Sequence, residues 1–249
     1  MQQYGLIGFP LSHSFSPSFF NEKFAKEKID ARYDLFPLEN LDNFRDLWQN
    51  NINLQGLNVT IPYKEAIIPF LDKLDKNAQK IGAVNVIKKN KDNQLVGYNT
   101  DYDGFYATLQ ETYSHFIFEK PKAIIFGNGG ASKAVKAVLT DENIEFLSVV
   151  RQKKAENEIF FQELTQNILQ KYKLWINTTP VGMYPHNNST LPIVFEEIVN
   201  EKFYLIDLIY NPKETIFLKK GKEKNAKIQN GLMMLWIQAE KAWNIWKSE

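Results

Sequence analysis

Three features of the 249-residue chain predict an α/β fold in two domains. Short apolar runs alternate with amphipathic stretches along the whole length, the pattern of strands and covering helices. From residue 122 a strand, a glycine-rich turn and a helix follow one another, the opening of a βαβ unit. The last apolar stretch recurs at helical spacing and is long enough to return to the first domain.

Taken in order, Tyr4–Ile7 reads as a strand ended by Gly8 and Pro10, and Pro17–Lys28 as a helix with Phe20, Phe24 and Ala25 on one side. Ala31–Phe36 is a second strand. Leu41–Asn50 is a helix turning Phe44, Leu47 and Trp48 inward, and Leu57–Thr60 is a short strand stopped by Pro62. Residues 64–71 and 75–81 read as helical in part. Residues 83–89 and 94–98 form a hairpin around the polar stretch Asn90–Asn93. A helix from Asp101 to Tyr113 leaves this region. The βαβ unit follows as strand 122–126, helix 132–139 and strand 146–150, with further strands at 174–177 and 203–207. Residues 232–247 close the chain as a helix, with Leu232, Leu235, Ala239, Ala242, Trp243 and Trp246 in register. The change of pattern near residue 101 divides the chain into residues 1–101 with 231–249, and residues 102–230.

Composition narrows the function classes. Lys+Arg is 30 and Asp+Glu 29, a net charge of +1, so bulk charge does not favour a nucleic-acid or membrane-surface partner. The chain has no cysteine, which removes disulfides, thiolate nucleophiles and cysteine-based zinc sites. His13, His115 and His186 are scattered, and no metal site is expected. MQQYGLIGFP has no basic start followed by an apolar run, and no stretch approaches the ~18 apolar residues of a membrane span. The expectation is a cytoplasmic protein, a monomer or homodimer, acting on a small molecule.

Gly127-Asn128-Gly129-Gly130-Ala131-Ser132 lies between a predicted strand and helix. Small residues there let the backbone turn tightly, and the helix N-terminus offers unpaired N–H groups to a pyrophosphate. In a Rossmann-type fold that binds NAD, an acidic residue ends the second strand and bonds the ribose hydroxyls. This chain has Val150-Arg151-Gln152-Lys153-Lys154 instead. A guanidinium can take a 2′-phosphate that a carboxylate would repel, so NADP is the expected cofactor.

In the first domain, Ser16 before Pro17 reads as a helix N-cap. Ser14 needs another account, and two hydroxyls at a helix N-terminus suit a carboxylate ligand. Thr60 and Lys64 follow a strand end. Singly, Lys64 reads as a surface lysine, Asn85 as a turn residue and Asp101 as a helix cap. Gln238 sits on or beside the apolar face of the last helix, where an amide needs partners from a ligand hydroxyl or a backbone carbonyl.

In order, Gly8-Phe9-Pro10 with Ser14-Phe15-Ser16-Pro17, Asn58-Val59-Thr60-Ile61-Pro62-Tyr63-Lys64-Glu65, Gly82-Ala83-Val84-Asn85, Asn99-Thr100-Asp101, the glycine turn, Asn177-Thr178-Thr179-Pro180-Val181-Gly182-Met183, Asp207-Leu208-Ile209-Tyr210-Asn211-Pro212 and Gly231 through Met234-Leu235 to Gln238-Ala239 resemble the shikimate dehydrogenase family. The matching stretches run nearly the whole chain. The resemblance implies an N-terminal substrate domain, a Rossmann-type NADP domain and NADP-linked interconversion of 3-dehydroshikimate and shikimate, on the route to chorismate and the aromatic amino acids. By motif match, Lys64 and Asp101 are the implied catalytic residues. Ser14, Ser16 and Tyr210 would hold the substrate carboxylate, and Thr60, Lys64, Asn85, Asp101 and Gln238 the ring. Gly127, Asn128, Gly129, Gly130, Ala131, Arg151, Lys153, Thr178, Leu208 and Gly231 would hold the cofactor. Oxidising an alcohol needs a base for the hydroxyl proton, and a lysine can take it while its ammonium form stabilises developing alkoxide charge. Which of Lys64 and Asp101 carries the proton is left open.

The chain also departs from the family pattern. Val150-Arg151-Gln152 stands where members commonly have Asn-Arg-Thr, so the Arg carries over and the Asn and Thr do not. Asn128 replaces a small residue of the turn, and the chain is short for the family. Neighbouring readings are a quinate/shikimate dehydrogenase using NAD or NADP, and a non-catalytic regulator binding a metabolite or nucleotide. Against them stand Arg151, which disfavours NAD, and the presence of both Lys64 and Asp101. A methylene-tetrahydrofolate type dehydrogenase is disfavoured by the Ser-x-Ser-Pro stretch.

Overall fold

The structure, a computed structural model, describes residues 1–11, 14–116 and 120–248. His13 of the Ser-x-Ser-Pro stretch lies outside them. The chain divides into two compact units, Met1–Thr100 with Gln238–Glu249, and Asp101–Ile237.

The first unit runs β1 (Gln2–Gly8), α1 (Ser16–Glu27), β2 (Ala31–Pro37), α2 (Phe44–Asn50), β3 (Leu54–Val59), α3 (Tyr63–Ala66), β4 (Lys73–Leu74), α4 (Lys76–Ile81), β5 (Val86–Lys89) and β6 (Leu95–Tyr98). The strands form one sheet in the order β2-β1-β3-β5-β6-β4. β1 is parallel to β2 and β3, while β5 runs antiparallel to β3 and β6, as the predicted hairpin requires. Both faces are covered. Tyr4, Leu6 and Val86 face Phe20 and Phe24 of α1, and Ile7, Leu57, Val59 and Ile87 face Phe44 of α2, Tyr63 of α3 and Ala78 of α4. β1 and β3 are buried on both faces, while β2 at the sheet edge alternates buried and exposed residues.

The second unit runs α5 (Asp101–Tyr113), β7 (Ala123–Phe126), α6 (Gly130–Asp141), β8 (Phe146–Val149), β9 (Glu158–Ile159), α7 (Gln166–Lys171), β10 (Leu174–Asn177), β11 (Tyr204–Asp207), α8 (Ile216–Glu223), β12 (Lys227–Gln229) and the start of α9 (Leu232–Lys247). Its strands lie in the order β12-β11-β10-β7-β8-β9 and every pair is parallel. Ile124 and Phe126 pack on one face with Trp175, Leu205 and Phe217; Ala123 and Ile125 pack on the other with Val135 and Val138 of α6 and Phe105 and Leu109 of α5. The order reverses between β7 and β10, whose carboxyl ends therefore flank the crevice where doubly wound sheets bind ligands.

α9 serves both cores. Met234 packs in the second unit, while Ala239, Ala242, Trp243 and Trp246 pack in the first. Trp246 donates its indole N–H to the Ile87 carbonyl at 3.0 Å. Gly56 on β3 leaves the room this needs, since a side chain there would overlap the indole. This anchoring fixes the rotation of the helix, and so the direction of Gln238.

Residues 64–71 are helical in part, as a four-residue helix from Tyr63 and a 3₁₀ turn at Ile68–Phe70, because Pro69 removes a backbone donor. Two element readings are corrected. Ser16 is the first residue of α1, Phe15 is its N-cap, and no side chain caps that end. The helix expected from Leu41 begins at Phe44, after a turn.

Candidate active site

In the first unit the polar residues gather at one end of the sheet. Thr60 follows the C-terminus of β3, Asn85 precedes β5 and Thr100 follows β6. Asn85 is 2% exposed and organises them. Its Nδ2 donates to Thr100 Oγ1 and to Gln238 Oε1, both at 3.0 Å. Its Oδ1 accepts from the Thr100 backbone N–H at 2.7 Å. The Thr100 hydroxyl donates in turn to the Gln238 backbone carbonyl at 3.0 Å. With its oxygen occupied by Asn85, the Gln238 amide still carries two N–H donors. A ligand hydroxyl is a suitable acceptor for them.

Behind this cluster lies a buried relay absent from the sequence reading. The Tyr33 hydroxyl donates to Asn58 Oδ1 at 2.7 Å, and Asn58 Nδ2 donates to the Asn85 carbonyl at 3.2 Å. Burial pushes the Tyr33 hydroxyl well above the usual phenol range, opposed by a hydrogen bond from Ser16. Stacking of Tyr33 on Phe20, ring centroids 4.6 Å apart at 9°, holds the hydroxyl in place. Ser14 Oγ accepts from the Ser16 backbone N–H at 3.2 Å, so the two serines share one turn. Lys64 lies in α3, half-buried, and its carbonyl accepts from Val84 N at 2.7 Å, which ties α3 to the segment bearing Asn85. The sequence places Tyr33 in a strand, and nothing in it marks the hydroxyl as part of a network.

In the second unit Asp101 opens α5 and is 3% exposed. The glycine turn follows β7 as expected. Gly127 has φ +111°, a left-handed conformation, and a Cβ there would lie 2.7 Å from Thr178 Oγ1. Only glycine meets both conditions. Gly129 is the N-cap of α6, no side chain caps that helix and no acid lies in its first turn. A Cβ on Gly129 would meet nothing within 4 Å, so the backbone is open on that side to a ligand. Ser132 is buried and bonds the Gly127 carbonyl at 3.0 Å, closing the turn from inside. Thr178 donates its hydroxyl to the Phe126 carbonyl at 2.7 Å. Gly231 packs directly against the Leu208 carbonyl, with its N–H on Ile209 O at 3.0 Å.

Arg151 begins the loop after β8, exposed, with no ion pair or hydrogen bond to any described residue. Lys153 is differently placed: its ammonium pairs with Glu163 at 2.6 Å and sits 4.7 Å from the Phe160 ring centre. Asp207, at the end of β11, accepts from Asn177 Nδ2 at 3.0 Å, Ile209 N at 3.0 Å and the Thr215 hydroxyl at 2.6 Å. It therefore joins the loops that carry Thr178, Leu208 and half-buried Tyr210. Burial pushes its carboxyl up to about 6, against the lowering effect of those hydrogen bonds.

This geometry suits a nucleotide. An uncapped helix start, an open Gly129 and an unpaired guanidinium at the neighbouring strand end offer separate donors to a pyrophosphate and a further phosphate. Among the described residues no three His, Asp or Glu side chains gather to hold a metal, and no helix is long and apolar enough to cross a membrane.

Known proteins are similar over the same segments. The family model for the shikimate dehydrogenase substrate binding domain matches residues 6–87. A protein of Clostridium beijerinckii named shikimate dehydrogenase (NADP(+)) is 43% identical over 99% of this chain and 92% of its own length. The chain belongs to the shikimate dehydrogenase family. Solved shikimate dehydrogenases share its fold. That of Aquifex aeolicus superposes with a TM-score of 0.84 at 34% identity, covering 99% of this chain and 92% of that one. A shikimate 5-dehydrogenase of Thermus thermophilus, in complex with NADP(H) and shikimate, gives 0.83 at 28% identity, covering 99% and 94%.

Proposed function

We propose that this chain catalyses the reversible, NADP-dependent reduction of 3-dehydroshikimate to shikimate. The observation that carries the reading is the 43% identity, over 99% of the chain, to a relative named for that activity. The open Gly129, the uncapped α6 and Arg151 support its cofactor half independently of any name.

The nicotinamide of bound NADP supplies or accepts the hydride. The rest of the chemistry belongs to the chain. Ser14, Ser16 and Tyr210 hold the substrate carboxylate through hydroxyl donors, with Ser14 and Ser16 presented on one turn at the start of α1. Gln238 offers its amide N–H groups and Asn85 its network to the ring hydroxyls, joined by Thr60. Such a site rejects analogues lacking a hydroxyl, because its polar groups would then be left unpaired. Lys64 and Asp101 handle the proton of the reacting alcohol. In the oxidative direction the carbon-bound hydrogen leaves as hydride and the hydroxyl proton passes to this acid/base system. In the reductive direction the proton returns to the new alkoxide. Gly127, Asn128, Gly129, Gly130 and Ala131 bind the pyrophosphate and Arg151 the 2′-phosphate. Thr178, Leu208 and Gly231 shape the nicotinamide end, and Lys153, paired with Glu163, stands beside the Arg151 loop at the adenosine end.

The test is absorbance at the NADPH band with purified protein, NADP or NAD, and shikimate or quinate. NADPH formation from shikimate is the expected result. Turnover of quinate with NAD in preference would favour the neighbouring specificity, and no turnover of either would overturn the reading.

A further inference from the structure

Two departures from the family pattern meet in the second unit. Asn128 stands in the glycine turn where a small residue is usual, and the loop after β8 lacks the Asn and Thr that commonly flank the Arg. Lys136, on α6, connects them. Its ammonium donates to Asn128 Oδ1 at 2.8 Å and to Glu158 Oε1 at 2.9 Å. Glu158, first residue of β9, has a side chain only 3% exposed, and that of Lys136 is 20% exposed. The second oxygen of Glu158 accepts from the Lys154 backbone N–H at 2.6 Å. The backbone of Ala155 also bonds this carboxylate, and together these contacts outweigh desolvation and hold it below the usual carboxylate range. The loop from Arg151 to Asn157 is thus folded over a buried charge, and that charge is tied through one ammonium to the turn proposed to bind pyrophosphate.

The loop's other side-chain tether lies at the surface, where Lys153 pairs with Glu163 at 2.6 Å and sits over the Phe160 ring. Residues 151–156 are exposed and carry no helix or strand, and the edge strand β9 is two residues long. An exposed loop of this kind samples many conformations unless something fixes it, and a guanidinium binds phosphate well only when held in the right orientation. A buried carboxylate receiving an ammonium and backbone N–H groups is a strong local anchor.

We propose that Lys136 and Glu158 are positioning residues for NADP: they set the loop so that Arg151 meets the 2′-phosphate, and they hold that loop in register with the glycine turn. Neither touches the cofactor. The inference rests on the assignment of Arg151 to the 2′-phosphate and extends it to two residues that no motif marks.

The test separates 2′-phosphate recognition from general damage by using two small ligands without the nicotinamide. Adenosine 2′,5′-bisphosphate and adenosine 5′-monophosphate are titrated calorimetrically into wild type, Glu158→Gln, the double variant Lys136→Met/Glu158→Gln and Arg151→Ser. The double variant leaves no orphaned buried charge and so keeps the experiment decisive if Glu158→Gln alone fails to fold. The bisphosphate should bind about tenfold more weakly to Glu158→Gln and to the double variant, with the monophosphate changed by less than about twofold, the scale of one charge-assisted contact. In steady state the KM for NADP rises, while kcat and the KM for shikimate hold. Equal losses for both ligands, or no loss for either, would overturn the proposal. Arg151→Ser distinguishes the two levels of failure. If it leaves bisphosphate binding intact, the 2′-phosphate assignment itself is wrong. If it weakens the bisphosphate alone while the other two variants do not, only the positioning role is wrong.

Discussion

Replacing Asp207 by Asn should stabilise the protein at neutral pH and leave it little changed in acid. Asp207 is fully buried, and its carboxyl is pushed from an ordinary 3.8 to about 6, first by desolvation and despite three hydrogen bonds. Between those two values the folded protein binds a proton that the unfolded chain has already released. The folded state therefore loses stability as pH rises through this window, and the loss is complete above about pH 6. A rise of that size corresponds to about 3 kcal/mol, of which about half has accrued by about pH 5. Asn carries no charge to desolvate. Its oxygen can accept from Asn177 and Ile209 as Asp207 Oδ1 does, and its NH2 can donate to the Thr215 hydroxyl, which already accepts from Leu218 N at 3.4 Å. The stability of Asp207→Asn minus that of wild type should grow with pH from about 4 and level off above about 6. Urea denaturation followed by tryptophan fluorescence across that range and on to about pH 8 measures it, and taking the difference cancels every other titrating group. A difference that is flat with pH, or that shrinks as pH rises, would refute the argument that burial governs this carboxyl.

Two further outcomes follow from the sites. Lys64→Ala should lower kcat by about two to four orders of magnitude, the range for a lost general acid/base, while the dissociation constant for shikimate changes little; a near-normal kcat eliminates Lys64 from proton transfer. Gly129→Asp sets stability against binding: the residue already has the extended φ −85°, ψ −176° of an N-cap, with open space at its Cβ. The carboxylate should cap α6 and raise stability by up to about 1 kcal/mol, while weakening NADP at least about tenfold by occupying the same N–H groups and repelling the pyrophosphate. Thermal melts and cofactor titration check both halves, and undiminished NADP binding in the variant removes the turn from the cofactor site.

Much of the second unit was legible because its central strands AIIF, LWIN and YLID are buried at every residue and so announce themselves as apolar runs. β10 and α9 fall on their predicted bounds, 174–177 and 232–247. The elements that escaped notice are short, amphipathic or at sheet edges. β9 and β4 have two residues each, and α8 has only eight, three of them lysines in IFLKKGKE. The misread cap at Ser16 has a physical cause as well: its hydroxyl bonds Tyr33, a partner on β2 that no local rule anticipates. The candidate sites divide along the same line. Residues whose role depends on local backbone shape, such as Gly127 and Gly129, could be named from spacing alone. Residues whose role depends on a partner brought in by the fold could not. Asn85 reads as a turn residue until Thr100 and Gln238 stand beside it, and Lys136 reads as a solvated helix lysine until Glu158 closes over it. The one trace of the second arrangement in the sequence is Asn128. A polar side chain in a turn that usually has none must find a partner or cost stability, and the partner it found is the lysine that also holds the Arg151 loop. A departure from a motif at a site of close packing is therefore a pointer to a compensating contact elsewhere, here on the helix that the turn itself begins.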